Sequence, residues 1–425
     1  MRDLLFHNIR LIDPATRLDQ IGALLVRDGR IIDLGPALGR PDGAEMIDGD
    51  GAILCPGLVD MRAALGEPGF EYRETIASAA EAAASSGITT LAALPDSRPA
   101  VDDPAIVRLL RARGEETGSL TILPYGAVTR GCRGEEMAEI GLLHEAGAWG
   151  FTDGQRAVAD TRMMRQALSY ARGFGARIVQ HPEDPALASG GAATEGELAT
   201  RLGLPGIPAA AEAIMVARDI RLAQLTGGSL HFAHVSTADA LALIRAAKAD
   251  GVDVTCDTAP PYFDLNETAI GDFRSYAKLS PPLRPEADRR AVCAALADGT
   301  VDAIASDHQP RDADDKRVPF ALATPGGAGL ATLLGVTLAQ VHGNGLALLD
   351  AIDLLTARPA RVLGVDAGRL TRGAMADLCL FDLERAWQVE AGALPGKAPN
   401  TPFDGRALEG QVTGTWKAGR RVFTG

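Results

Sequence analysis

Five side chains carry most of the chemistry this sequence offers: Asp153, His181, His234, Asp307 and His308. They close four short apolar runs, AWGFTD, RIVQH, SLHFAHV and DAIASDH. Imidazole and carboxylate together suit zinc, which takes nitrogen and oxygen donors in tetrahedral geometry. The competing reading is a buried, hydrogen-bonded core residue, and for a single such histidine it is the better one. Four run ends with the same residue types reverse that preference, provided the runs are strands that converge.

The middle of the chain supplies such strands. The runs GLVDMRAAL, TTLAALP, LTILPYGA, AWGFTD, RIVQH, SLHFAHV, VDVTCDT and DAIASDH alternate with Ala/Leu-rich helical patterns such as ETIASAAEAAASSG and TADALALIRAAKADG. Eight βα units predict an α/β fold, a (β/α)8 TIM barrel over residues 56–360, with its chemistry at the C-terminal ends of the strands. An open doubly wound sheet is the runner-up, but no Gly-rich dinucleotide fingerprint follows a first strand. Residues 1–55 and 361–425 are β-rich, with turns at Asp28-Gly29 and Ala418-Gly419, and are expected to pair into one small side domain. Asp103 followed by Pro104 reads as a helix start.

Composition narrows the function. The net charge of −13 and an aromatic content of 4% disfavour nucleic-acid and anionic-membrane partners. No apolar stretch approaches the ~20 residues a membrane span needs. The opening residues lack a signal-peptide pattern, and the five cysteines are widely spaced. Both predict a reduced, cytoplasmic protein.

The stretch GLVDMRAALGEPGFEYRETI resembles the dihydroorotase signature G-L-V-D-x-H-x-H-x-R-E-P-G. The block from PEDPALASGG to HFAHVSTADAL, then SPPLR and DGTVDAIASDHQP, also resemble blocks of that family, and the likeness runs over the whole chain. The resemblance implies an amidohydrolase that closes carbamoyl-aspartate to dihydroorotate in pyrimidine synthesis. Allantoinases and hydantoinases are near alternatives. It also implies roles for residues. Asp153 matches the bridging carboxylate, His181 and His234 match the histidines of one metal, and Asp307 matches the ligand and general base.

Other matching positions are altered. The two histidines of H-x-H fall on Arg62 and Ala64. Alanine has no donor, and a guanidinium offers no lone pair. The arginine that clamps the substrate carboxylate is Gly66, a loss of ~1.5–3 kcal/mol of charge-assisted bonding. Asp96 and Ser280 stand where the family has asparagine, and Arg311 where it has histidine. With His308, these are the altered substrate-binding positions. Asp96 is expected to repel an anionic substrate.

Two functions compete. One is a pseudoenzyme, in which Arg62 neutralises Asp153 and Asp307 in place of metal. The resemblance includes inactive homologues that assemble with aspartate carbamoyltransferase, which makes that enzyme the expected partner and leaves a homo-oligomer open. The other is a cyclic-amide hydrolase with at most one zinc on Asp153, His181, His234 and Asp307. Glu67, Pro68 and Gly69 are expected to fix the loop after the first barrel strand. Asn266 and Arg284 are expected in solvated loops, and RDADDKR at 311–317 as a charged, solvated loop.

Overall fold

Short, wholly buried apolar runs become parallel strands, because both faces of such a strand must be covered. The computed structural model describes residues 2–425. Leu58–Ala63, Ile88–Ala93 and Thr121–Pro124 pair in parallel. Arg177–Gln180, Ser229–Phe232, Val254–Thr258 and Ala303–Ile304 form a second parallel set. Phe151 bridges the two sets, contacting Gly126 on one side and Ile178 on the other. Ala63 pairs with His308, and the Ala64 N–H donates to the His308 carbonyl at 2.8 Å, which closes the ring. These eight positions make the predicted (β/α)8 barrel.

Its interior is filled by Val59, Met61, Ala92, Tyr125, Val179, Ala233 and Ala305. Strand one is tied to strand eight by Asp60, which accepts from Ser306 Oγ at 2.5 Å and from its N–H at 2.8 Å. Several outer helices start on side-chain caps. Asp103 accepts from the Ala105 N–H at 2.7 Å with Pro104 next in line, the predicted start. Thr75 and Ser78 form a capping box on Ile76–Ser85, whose alanines pack flat against the barrel.

Both termini enter one sheet. Its order runs through Arg420–Thr424, Ala407–Lys417, Leu378–Gln388, Ile53–Pro56, Leu4–Asp13, Leu18–Arg27 and Arg30–Gly35, with Glu45–Asp48 also on Leu4–Asp13. The seam is antiparallel and sets Cys379 directly opposite Cys55. Phe6 meets Trp416 edge-on across the sheet core, ring centroids 4.9 Å apart. Both predicted turns have positive φ at their two central residues, Asp28-Gly29 and Ala418-Gly419. Among the described residues, no helix is long and apolar enough to cross a membrane.

Two loop expectations fail. The 311–317 segment is not simply solvated. Arg311 and Lys316 are buried, and Asp312 caps a helical turn at Ala313–Lys316. Lys316 Nζ is drawn in because it donates to the carbonyls of Ser275 and Lys278, at 3.2 and 3.3 Å. Arg284 is also buried, 3.6 Å from Glu212, and donates to Ser236 Oγ at 3.0 Å. Asn266 caps a short turn through Thr268. Glu67 does hold its loop, accepting from the Ile76 N–H at 3.3 Å.

Candidate functional site at the barrel mouth

The strand ends bring Arg62, His181, His234 and Asp307 into one buried chain. Arg62, only 1% exposed, donates from Nε to Asp307 Oδ1 at 2.8 Å and from Nη2 to the Gly154 carbonyl at 2.9 Å. The other Asp307 oxygen lies 3.0 Å from His234 Nδ1. His234 Nε2 is 2.7 Å from His181 Nδ1. His181 Nε2 faces Glu183 at 3.7 Å, and Ser280 Oγ donates to the same Glu183 oxygen at 3.2 Å. Gln309 Nε2 donates to Asp307 at 3.0 Å.

Burial pushes the Asp307 carboxyl upward, but His234 and the Arg62 guanidinium outweigh it and hold it at about 2. Burial pushes His234 down. His234 and Asp307 both carry positive φ, 41° and 45°. Non-glycine residues rarely hold that conformation, and it concentrates at functional strand ends. Asp257 helps to hold it, accepting from the His234 N–H at 2.6 Å.

Asp153 departs from the expectation. Arg62 does not neutralise it. The carboxylate instead accepts from Thr129 Oγ1 at 2.5 Å and from the Thr129 N–H at 2.9 Å. With hydrogen bonds but no guanidinium on it, burial dominates and lifts it to about 6. His308 is also no pocket residue. It is buried, with Nδ1 accepting from the Gly329 N–H at 3.2 Å and Nε2 facing Glu74 at 3.5 Å.

The donor set does not fit a metal centre as it stands. Two nitrogens on one tetrahedral zinc stand about 3.3 Å apart, given Zn–N bonds of ~2.0–2.1 Å. The facing nitrogens of His181 and His234 are at 2.7 Å, a hydrogen-bond distance. Asp153 is turned to Thr129, and Asp307 is occupied by a guanidinium. Among the described residues, no three His, Cys, Asp or Glu side chains are grouped to hold a metal ion.

Room beside Asp307 is scarce too. The cavity that Asp307, Ser280 and Gln309 share with Pro260, Gly327 and Phe403 measures about 10 Å³, which is no more than a single water needs. Gly66 has φ +73°, and a Cβ there would stand 2.2 Å from the Glu74 carbonyl oxygen. The backbone itself excludes an arginine clamp at this position. Thr129, Glu183, Gln309 and Asn400 complete the mouth and were not anticipated. Their short polar signals are indistinguishable in sequence from ordinary loop residues.

Comparison with known proteins agrees with this architecture. A family model described as dihydro-orotase-like matches residues 51–240. The chain is 43% identical over 421 residues to the dihydroorotase of Pelobacter propionicus, covering 99% of each. It is 43% identical over 425 residues to that of Anaeromyxobacter dehalogenans, covering 99% of this chain and 98% of the relative. Among solved structures, the L-hydantoinase (dihydropyrimidinase) from Arthrobacter aurescens superposes with TM-score 0.88 at 25% identity, over 100% of this chain and 96% of that one. The dihydropyrimidinase from Brevibacillus agri gives 0.84 at 23% identity, over 99% and 95%. With its closed barrel, its composite sheet and end-to-end similarity to these relatives, the chain belongs to the dihydroorotase family.

Proposed function

We propose that this chain is a non-catalytic dihydroorotase homologue that serves pyrimidine synthesis as a scaffold for aspartate carbamoyltransferase. One observation carries the first half: the Arg62 guanidinium lies on Asp307, the general base that the family resemblance implies. A carboxylate locked in a buried ion pair at about 2 has no driving force to take a proton at neutral pH. The missing donor at Ala64, the blocked backbone at Gly66 and the 10 Å³ of space beside Asp307 support the same reading.

The scaffold half starts from the outer surface of the barrel. Outer helices Ile140–Glu145 and Thr161–Arg172 carry the exposed Leu142 and Tyr170, and Phe174, just past the second helix, is exposed as well. Tyr170 and Phe174 meet edge-on at 5.3 Å. An obligate partner would extend this to more than ~2,000 Å² in total.

The retained His181–His234–Asp307 chain favours a second reading, a one-zinc cyclic-amide hydrolase in which the rings separate to take metal. Two measurements decide. Metal content and dihydroorotate hydrolysis of the purified chain are expected to be negligible. Co-expression with aspartate carbamoyltransferase, followed by size-exclusion chromatography, is expected to give one joint peak and a more active transferase. Separate elution at micromolar concentration with an equally active lone transferase defeats the scaffold. One bound zinc with turnover establishes the hydrolase.

A further inference from the structure

A cavity of about 230 Å³ lies where the side sheet meets the outer helices of the barrel. Its walls come from the C-terminal end of Ile76–Ser85, the start of Leu333–Asn344, the strands Leu378–Gln388, Ala407–Lys417 and Arg420–Thr424, and the turn that follows Gln388. No residue of the barrel mouth takes part.

Most of the lining is apolar. Trp387 and Phe423 supply aromatic surface, and Leu334, Leu394 and Val412 supply aliphatic surface. Trp387 is pinned, since its Nε1 donates to the Gly410 carbonyl at 3.0 Å. Gly335 gives the indole its room, because a Cβ there would stand 3.1 Å from Trp387 Cζ2. An apolar cavity with a few placed polar groups and walls fixed by the fold is the usual form of a small-molecule site.

The electrostatics are one-sided. Among the described residues, no lysine, arginine or histidine lines the cavity. Two helix ends meet on its wall. The Leu334 N–H, at the start of one helix, donates at 3.4 Å to Oγ of Ser86, the C-terminal cap of the other. Their partial charges have opposite sign and offset one another. Ser86 and Gln411 add neutral polar groups, so Glu390 brings the one full charge among the described lining residues. Its carboxylate has no ion-pair or hydrogen-bond partner among the described residues.

We propose that this cavity binds a small organic amine in its ammonium form, the charge on Glu390 and a compact, flat apolar body against Trp387 and Phe423. Aromatic rings attract cations as well as apolar surface, indole most of all, so one wall serves both parts of the molecule. An anion meets Glu390 with no cation to offset it. A neutral molecule of the same shape gains the ring contacts and nothing from Glu390. The bound amine touches barrel helices and side sheet at once, so it also raises the thermal midpoint of the chain. The site stands or falls independently of the non-catalytic and scaffold readings.

The test is isothermal titration of the full chain at neutral pH with phenethylamine, phenethyl alcohol and hydrocinnamate, which share a ring and differ in charge. The expected result is one saturable site for the amine, about fivefold tighter than for the alcohol, with the carboxylate weaker still. Glu390→Gln is expected to weaken the amine by about fivefold and to leave the alcohol unchanged. Ala393→Phe, which fills the cavity without touching a charge, is expected to abolish binding of both while the circular dichroism spectrum is unchanged. Absence of saturable heat from phenethylamine up to about 10 mM overturns the proposal. Alcohol binding as tightly as amine, with no effect of Glu390→Gln, also overturns it and leaves a plain apolar cavity. Amine binding that survives Ala393→Phe unchanged places the amine elsewhere and overturns it as well.

Discussion

Replacing Arg62 with methionine removes the cation from the barrel mouth while keeping a side chain of similar length. Breaking a buried ion pair by deleting one partner costs ~3–5 kcal/mol, since the remaining charge is stranded. Here Asp307 keeps His234 at 3.0 Å and Gln309 at 3.0 Å, which softens the loss. An independent figure comes from titration. Holding Asp307 at about 2 instead of 3.8 corresponds to ~2 kcal/mol of native-state stability, of which His234 supplies the larger share and keeps it in the variant. The expected loss is therefore ~1–4 kcal/mol in urea unfolding at pH 7. The pH dependence has a definite sign. The folded carboxyl is depressed, so its contribution is complete above about pH 4 and fades as pH falls towards 2. The gap between wild type and Arg62→Met must then narrow between pH 7 and pH 3. Arg62→Lys, which keeps the charge without the fork that also reaches the Gly154 carbonyl, falls between the two. If Arg62→Met unfolds within ~0.5 kcal/mol of wild type at pH 7, within the scatter of ordinary surface changes, Arg62 is not neutralising Asp307 and the argument fails.

Three further outcomes follow from the same geometry. Arg62→His with Ala64→His is expected to take up metal in part, measured by elemental analysis, yet to hydrolyse no dihydroorotate, because Gly66, Asp96, Ser280 and Arg311 still define the pocket. Gly66→Arg is expected to lower stability by ~3 kcal/mol or more in chemical denaturation, since φ +73° and a Cβ 2.2 Å from the Glu74 carbonyl leave no place for a side chain. Lys316, pushed down to about 7 by burial and by its cationic neighbours, penalises the folded state most at and below that pH. Its folded value lies below the unfolded one, so the penalty eases as pH rises from about 7 towards 10.5. Lys316→Met is expected to stabilise by ~1–3 kcal/mol at pH 7 after the lost carbonyl bonds are counted, and by less at pH 9.

The barrel and its side sheet were legible because their signals are local. Buried parallel strands read as short apolar runs, and Asp103-Pro104, Asp28-Gly29 and Ala418-Gly419 announce a helix start and two turns. The mouth was legible only in part. Arg62, His181, His234 and Asp307 end strands, so the barrel's symmetry brings them together. Asp153 also ends a barrel strand, but its partner depends on Thr129, a loop residue whose hydroxyl direction no periodicity encodes. Arg284, Arg311 and Lys316 looked solvated because charge usually is. They are buried because distant segments supply acceptors, Ser236, Pro325 and Ser275 among them. Such pairings span up to tens of residues and arise only once the fold exists.

Arg62 also bears on how the fold is maintained. A buried, ionised carboxylate at the barrel mouth, such as Asp307, is costly without a cation. Where that cation is a bound metal, part of the stability is linked to metal concentration and is lost to a chelator. A guanidinium on the strand supplies the charge covalently, at any metal concentration. It does so with fixed donors to Asp307 and to the Gly154 carbonyl, which ties strand one to strand eight and to the loop after Phe151. On the proposed reading, the residue standing where the resemblance implies a ligand donor also takes over the ligand's charge. A chain built this way can keep a barrel as a shell without keeping its reaction. Its unfolding midpoint is expected to be the same in chelator and in zinc, and a chelator-sensitive midpoint would return the cation's role to a metal.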